Sequence, residues 1–317
     1  MTASQLALGC MGMSPGVYGT PPDAAESTKV IHAAIDRGIT LIDTGDFYGM
    51  GHNELLVGKA LAGRRDKVQL SVKFGALRGP DGSFLGFDTR PAAVKTWLTY
   101  SLVRLGVDHI DIYRPARLDP TVPIEETVGA IADLIKAGYV RAIGLSEVGA
   151  DTVRRAAKVH PIHDLQIEYS IIERAPEDAI FPALRELGIS ATLYGVLSRG
   201  LLSGSSTTTK GDSRAHLPRF SGDNKASNDK LVAALAALAA KYGITRSQLA
   251  IGYALGKQPG FWPTVGARTL AQLDDALAAA PLTASQIAEV EAAAPRGAVA
   301  GTRYHAQQMA MLDSEKR

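Results

Sequence analysis

The sequence predicts an α/β chain closed as a (β/α)8 TIM barrel, on three observations. Eight short apolar or β-branched runs alternate with eight longer segments whose apolar residues recur at helical spacing. Several helical segments stop at a glycine, as in Arg37-Gly38, Leu105-Gly106, Ala137-Gly138 and Leu187-Gly188, and the next run starts within one or two residues. The first strand-to-helix turn has no Gly-x-Gly-x-x-Gly, which ranks an open doubly wound sheet second. At 317 residues the chain is within the range of a single α/β barrel, and no stretch reads as a linker, so one domain over 1–317 is expected.

In chain order, a strand at 5–9 leads to a helix at 24–37, one at 39–43 to 53–61, and one at 68–73 to 91–105. The strand at 109–113 leads to a helix at 124–136, 140–145 to 150–159, 165–167 to 176–187, 189–194 to 228–242, and 262–265 to 270–279. Parallel strands covered on both sides are continuous in apolar residues, as in Ala142-Ile143-Gly144-Leu145. Residues 197–227 lack sustained periodicity and are expected to form a lid loop. A further helix is expected at 284–294, followed by a tail at 296–317 whose role is open.

Composition excludes several function classes. The chain is 46% hydrophobic and 21% charged, and 34 Lys+Arg against 32 Asp+Glu leave a charge of +2, which argues against disorder and against nucleic acid as a partner. Cys10 stands alone, residues 1–7 lack the features of a secretion signal, and no apolar run is long enough to span a bilayer. A cytoplasmic protein without membrane contact is expected. The histidines are scattered, with only His160 and His163 close together, and no metal site is expected.

Barrels of this kind carry their chemistry at the C-terminal ends of the strands. Asp43 ends the second strand, Tyr48 follows in Thr44-Gly45-Asp46-Phe47-Tyr48-Gly49, and Lys73 ends the third. An ammonium beside a phenol favours the phenolate, and a carboxylate keeps that ammonium charged, so Tyr48 could donate a proton to a carbonyl oxygen as it accepts hydride. On spacing alone, an Asp–Lys ion pair at a barrel rim with a tyrosine packed nearby ranks ahead of catalysis.

The strings Gly9-Cys10-Met11-Gly12-Met13-Ser14 and Asp43 to Gly49, with Lys73, resemble the aldo-keto reductases, specifically the bacterial NADP-dependent class. The likeness continues through Gly138 to Ser146, Leu165 to Ser170, Tyr194 to Gly204 and Pro263 to Arg268. It implies a (β/α)8 barrel that binds NADP(H) and reduces a small-molecule aldehyde or ketone, or runs the reverse reaction. Asp43, Tyr48 and Lys73 would be three members of a catalytic tetrad, with Tyr48 as the proton donor. The fourth, a histidine after the fourth strand, is replaced by Ala116 in Tyr113-Arg114-Pro115-Ala116-Arg117. Three accounts stay open: a natural variant whose substrate tolerates the loss, an engineered substitution, or an NADP(H)-binding regulatory or interaction protein of the same fold with little turnover. Ala116, Arg114 and Met13 would line the substrate pocket.

By the same resemblance Ser146 and Gln166 would bind the nicotinamide carboxamide and Tyr194 would stack on the ring. Glu147 stands where the family usually has asparagine, so one hydrogen-bond donor is lost. Gly195, Leu197, Arg199 and Gly200 would lie along the pyrophosphate. Gly266 and Arg268 would hold the adenosine 2′-phosphate, and Gln272 and Asp275 would lie on the adenosine side, where Ala276 replaces another asparagine. Substrate identity and oligomeric state are not legible.

Overall fold

Residues i and i+2 of a strand share a face, and in this chain that alternation separates a polar barrel interior from an apolar exterior. The structure, a computed structural model, describes residues 5–16, 18–205 and 212–316. Its strands are β1 (Ala7–Gly9), β2 (Leu41–Gly45), β3 (Gln69–Phe74), β4 (Ala76–Arg78), β5 (Phe84–Phe87), β6 (Ile110–Pro115), β7 (Val140–Ser146), β8 (Ile162–Glu168), β9 (Ser190–Tyr194) and β10 (Trp262–Val265). Between and after them lie α1 (Ala24–Asp36), α2 (His52–Leu61), α3 (Pro91–Leu105), α4 (Ile124–Lys136), α5 (Ala150–Val159), α6 (Ile180–Glu186), α7 (Gly222–Lys241), α8 (Arg246–Lys257), α9 (Leu270–Leu277), α10 (Ala284–Ala293) and α11 (Ala306–Met309). The strands close in the order β1-β10-β9-β8-β7-β6-β3-β2, and every pair in that ring is parallel. The predicted (β/α)8 barrel is therefore the observed one, and each predicted strand falls on a barrel strand.

Outward-facing Leu8, Ile42, Leu70, Val72, Phe74, Ile143, Leu165 and Leu193 pack with Val30, Val57, Val94 and Val128 of the surrounding helices in one continuous core. Inside the barrel a small layer of Ala7, Leu41 and Ile112 closes the N-terminal end. Above it the interior is polar. Arg114 pairs with Asp164 at 3.0 Å and donates to Ser71 Oγ at 3.0 Å, while Thr192 Oγ1 donates to Asp164 at 2.8 Å. A Cβ on Gly144 would lie 2.9 Å from the Arg114 guanidinium carbon and from Asp164, so that glycine makes room for the pair.

Three departures from the sequence expectation have physical causes. Helix α8 was not foreseen, because Leu249 to Leu255 are all buried and leave no polar face to mark a helical period. It also carries Gly252 and Gly256, where a Cβ would meet the Ala280 and Leu282 carbonyl oxygens at 2.5 and 2.4 Å, so the helix packs directly on backbone. The segment expected as one helix at 176–187 divides into a 3-10 turn, Ala175–Glu177, and α6. The third difference concerns the lid: within 197–227 the chain forms 3-10 turns at Ser198–Gly200, Ser213–His216 and Pro218–Phe220 and then starts α7, while 206–211 lie outside the described residues. The β4–β5 hairpin occupies part of the connection from β3 to α3. No helix among the described residues is long and apolar enough to cross a membrane.

Candidate active site

Strand register brings the expected residues to one end of the barrel. Asp43 lies opposite Ser71, Gly45 opposite Lys73, Ser146 opposite Gln166, and Glu168 opposite Tyr194. Lys73 Nζ donates to Asp43 Oδ1, and both side chains are almost wholly buried. The other carboxylate oxygen, Oδ2, accepts from Ser71 Oγ and Gln166 Nε2, each at 2.9 Å. Lys73 Nζ lies 5.1 Å from the centroid of the Tyr48 ring. Asp43, Tyr48 and Lys73 are thus brought together.

The turn that carries Tyr48 is stitched to the strand that carries Lys73. The Tyr48 amide donates to Gly45 O at 3.1 Å, the Asp46 amide to Lys73 O at 2.9 Å, and the Gly75 amide to Asp46 Oδ2 at 3.1 Å. Burial pushes the Lys73 ammonium down in pKa, against the upward pull of Asp43. Burial and then the Asp43 carboxylate hold the Tyr48 phenol well above its ordinary value, and Arg117 is the cation that draws it down most.

Ala116, 2% exposed, follows β6 and donates its amide to Phe74 O at 2.8 Å. Arg117 folds back over it, donating to Ala116 O at 2.6 Å, to Ser146 Oγ at 3.3 Å and to the Tyr304 hydroxyl at 3.4 Å. Arg114 is not brought to the mouth: its guanidinium is fully buried in the barrel on Asp164, Ser71 and Leu145 O. Met13 is buried in the 3-10 turn after β1. Cys10 is buried, and burial pushes its thiol far up in pKa, which suits a packing residue and not a nucleophile.

On the expected cofactor side, Ser146 ends β7, Tyr194 ends β9, and Gln166 lies two residues before the end of β8 between them. Leu197 to Gly200 form a tight turn in which the Gly200 amide donates to Leu197 O at 2.9 Å. Arg199 lies 3.6 Å from Glu168 and 4.3 Å above the Tyr304 ring centroid. A Cβ at Gly266 would meet only Gly9 O, at 3.7 Å, which leaves open space over that backbone. Arg268 donates to Tyr18 O and Thr20 O, while its buried Nε has no hydrogen-bond partner among the described residues. Gln272 Oε1 accepts from the Arg268 amide at 2.8 Å. Asp275 points elsewhere, accepting from Thr245 and Gln248 at the start of α8. An arginine beside an open glycine backbone at a strand end is suited to a nucleotide phosphate.

The sequence reading missed the contribution of the tail. Arg303 is 4% exposed and bonds Glu147 through both terminal nitrogens, at 2.9 and 2.8 Å, and it also bonds Glu168 at 3.3 Å and Glu315 at 2.7 Å. The available signal was two acids, Glu147 and Glu168, at the ends of buried strands, where a carboxylate needs a cation to pair with. Although burial alone pushes it up, Arg303 holds the Glu147 carboxyl at about 2.

Comparison with known proteins agrees with this geometry. The profile described as the Aldo/keto reductase family matches residues 5–295. A probable aldo-keto reductase 1 of Glycine max is 40% identical over 311 residues, covering 95% of this chain and 88% of the relative. The structure of a glycerol dehydrogenase from Gluconobacter oxydans superposes with a TM-score of 0.82 at 30% identity, covering 92% of this chain and 91% of that one. The holo form of an aldo-keto reductase from Bacillus halodurans gives a TM-score of 0.74 at 28% identity, covering 92% of each chain.

Proposed function

The chain belongs to the aldo/keto reductase family of oxidoreductases, and on that premise we propose that it is an NADPH-dependent reductase of an aldehyde or ketone. The observation that carries this reading is the buried Lys73–Asp43 ion pair beside the Tyr48 ring at the open end of the barrel. When bound, the nicotinamide would supply hydride to the carbonyl carbon. Tyr48 gives its proton to the carbonyl oxygen, Lys73 lowers the cost of the phenolate left behind, and Asp43 keeps Lys73 charged and in place.

Ser146, Gln166 and Tyr194 would hold the nicotinamide end, Gly195, Leu197, Arg199 and Gly200 the pyrophosphate, and Gly266 and Arg268 the 2′-phosphate, with Gln272 steadying the Arg268 backbone. A dianionic 2′-phosphate matches the charge of the Arg268 guanidinium beside the open Gly266 backbone, which favours NADP(H) over NAD(H). Met13 and Ala116 would border the substrate; Arg114, sealed in the barrel, is left out.

Ala116 favours a second reading, a nucleotide-binding protein of the same fold with little turnover, since no imidazole is present to orient a carbonyl at that position. Following NADPH absorbance across a panel of aldehydes and ketones separates the two. Turnover supports the reductase; tight NADPH binding with no turnover on any carbonyl supports the second.

A further inference from the structure

Glu147 directly follows β7, is fully buried and holds a left-handed backbone with φ of 54°. Its Oε1 accepts from the Tyr194 hydroxyl at 2.8 Å, Arg303 Nη1 at 2.9 Å and the Glu168 amide at 2.9 Å. Its Oε2 accepts from Arg303 Nη2 at 2.8 Å and Ser314 Oγ at 2.6 Å. The Ser314 amide donates to the Glu147 carbonyl at 3.2 Å. One residue before Ser314, Asp313 Oδ2 accepts from the Gly149 amide at 2.9 Å and Thr152 Oγ1 at 2.7 Å, so the same late segment caps the start of α5.

An amide at position 147 could serve a bound carboxamide as both donor and acceptor, whereas this carboxylate spends its acceptors on the segment at 303–314 and on Tyr194. That segment includes Tyr304, whose hydroxyl lies 3.0 Å from the Tyr194 hydroxyl and 3.4 Å from Arg117 Nη2, and whose ring lies under the Arg199 guanidinium. Tyr194, Arg199 and Arg117 therefore all meet Tyr304, the residue that directly follows Arg303.

We propose that Glu147 is a positioning residue that, through Arg303, fixes Tyr304 and Tyr194 as one wall of the nicotinamide end of the site. This rests on the NADP(H) reading above. The pair acts first on the nicotinamide end, because its hydrogen bonds run to Tyr194, Glu168, Ser314 and Glu315 and none to Lys73 or Asp43 among the described residues.

The test compares full-length Glu147→Gln, Arg303→Met, the double variant, Glu147→Asp and Tyr304→Phe by NADPH fluorescence titration, steady-state kinetics, and trypsin cleavage after Arg303 in the absence of nucleotide. Glu147→Gln and Arg303→Met are each expected to weaken NADPH binding about tenfold and to raise the NADPH KM by a larger factor than they lower kcat. The double variant should be no worse than either single one, and Glu147→Asp should recover part of the loss. Arg303 should resist trypsin in the parent chain and be cut in Glu147→Gln. Parent-like affinity and trypsin resistance in Glu147→Gln, or fully additive losses in the double variant, would overturn the proposal. If Glu147→Gln does not fold, Tyr304→Phe decides: unchanged NADPH affinity overturns it. A parent chain that binds no NADPH at all refutes the cofactor reading instead, and the trypsin comparison still decides whether Glu147 anchors the segment.

Discussion

Gln166 donates its side-chain amide to Asp43 Oδ2 at 2.9 Å, joining β8 to β2 across the barrel interior. One carboxylate thus orders an ammonium, a hydroxyl and an amide at once. Asp43→Asn removes the charge that balances buried Lys73, and an uncompensated buried cation costs about 3–5 kcal/mol. Chemical denaturation should show a loss of that order together with loss of turnover; parent-like stability would mean that Lys73 is held by other groups.

Tyr48→Phe removes only the hydroxyl. Carbonyl reduction should disappear while the Kd for NADPH stays within about twofold, because the phenol is assigned to proton transfer and not to nucleotide binding. Full turnover in this variant would assign the acid to another group.

Ala116→His should raise kcat on a small aldehyde, by up to on the order of a hundredfold if the missing oriented donor limits the rate. Ala116 is 2% exposed, so the imidazole must displace neighbours, and an unchanged or lower kcat would show a pocket shaped around the methyl group.

Arg268→Ala should weaken NADPH binding by about tenfold or more and leave NADH binding nearly untouched, because only the former carries the 2′-phosphate. Calorimetric Kd values for both nucleotides check this; equal losses would place Arg268 on a shared part of the two cofactors.

Asp46 sets a pH dependence. Burial, countered by the Gly75 amide and reinforced by Glu54, raises its carboxyl to about 7, against about 3.9 in an unfolded chain. A raised acid stabilises the fold fully below about pH 4 and loses that contribution as pH rises through about 7. Asp46→Asn should therefore be more stable than the parent at pH 8, by on the order of a few kcal/mol, with the gap closing towards pH 4. Urea melts across that range check it, and a constant difference would assign the effect to packing.

Strands and most helices were legible because their apolar residues keep a period and their ends carry glycine; Gly106, for example, takes φ of 65° just past α3. Helix α8 was hidden since burial on every side erases the period. Asp43, Tyr48 and Lys73 were legible because strand ends bring near-neighbours in sequence together. Arg114 misled: its place in the motif put it near the mouth, whereas the i, i+2 phase of β6 turns it inward to Asp164. Arg303 and Tyr304 carried no local pattern that marked the site, since their partners there, Glu147, Glu168 and Tyr194, lie more than a hundred residues away and only the closed fold unites them.

The closing seam sets the order of assembly on the ribosome. β1 emerges first, yet one of its two neighbours is β10, with Ala7 beside Thr264 and Leu8 beside Val265. Until that late strand is synthesised, both the leading strand and the growing rim present unsatisfied edges, the kind of surface that invites pairing between nascent chains. The cylinder therefore closes only once β10 has been made.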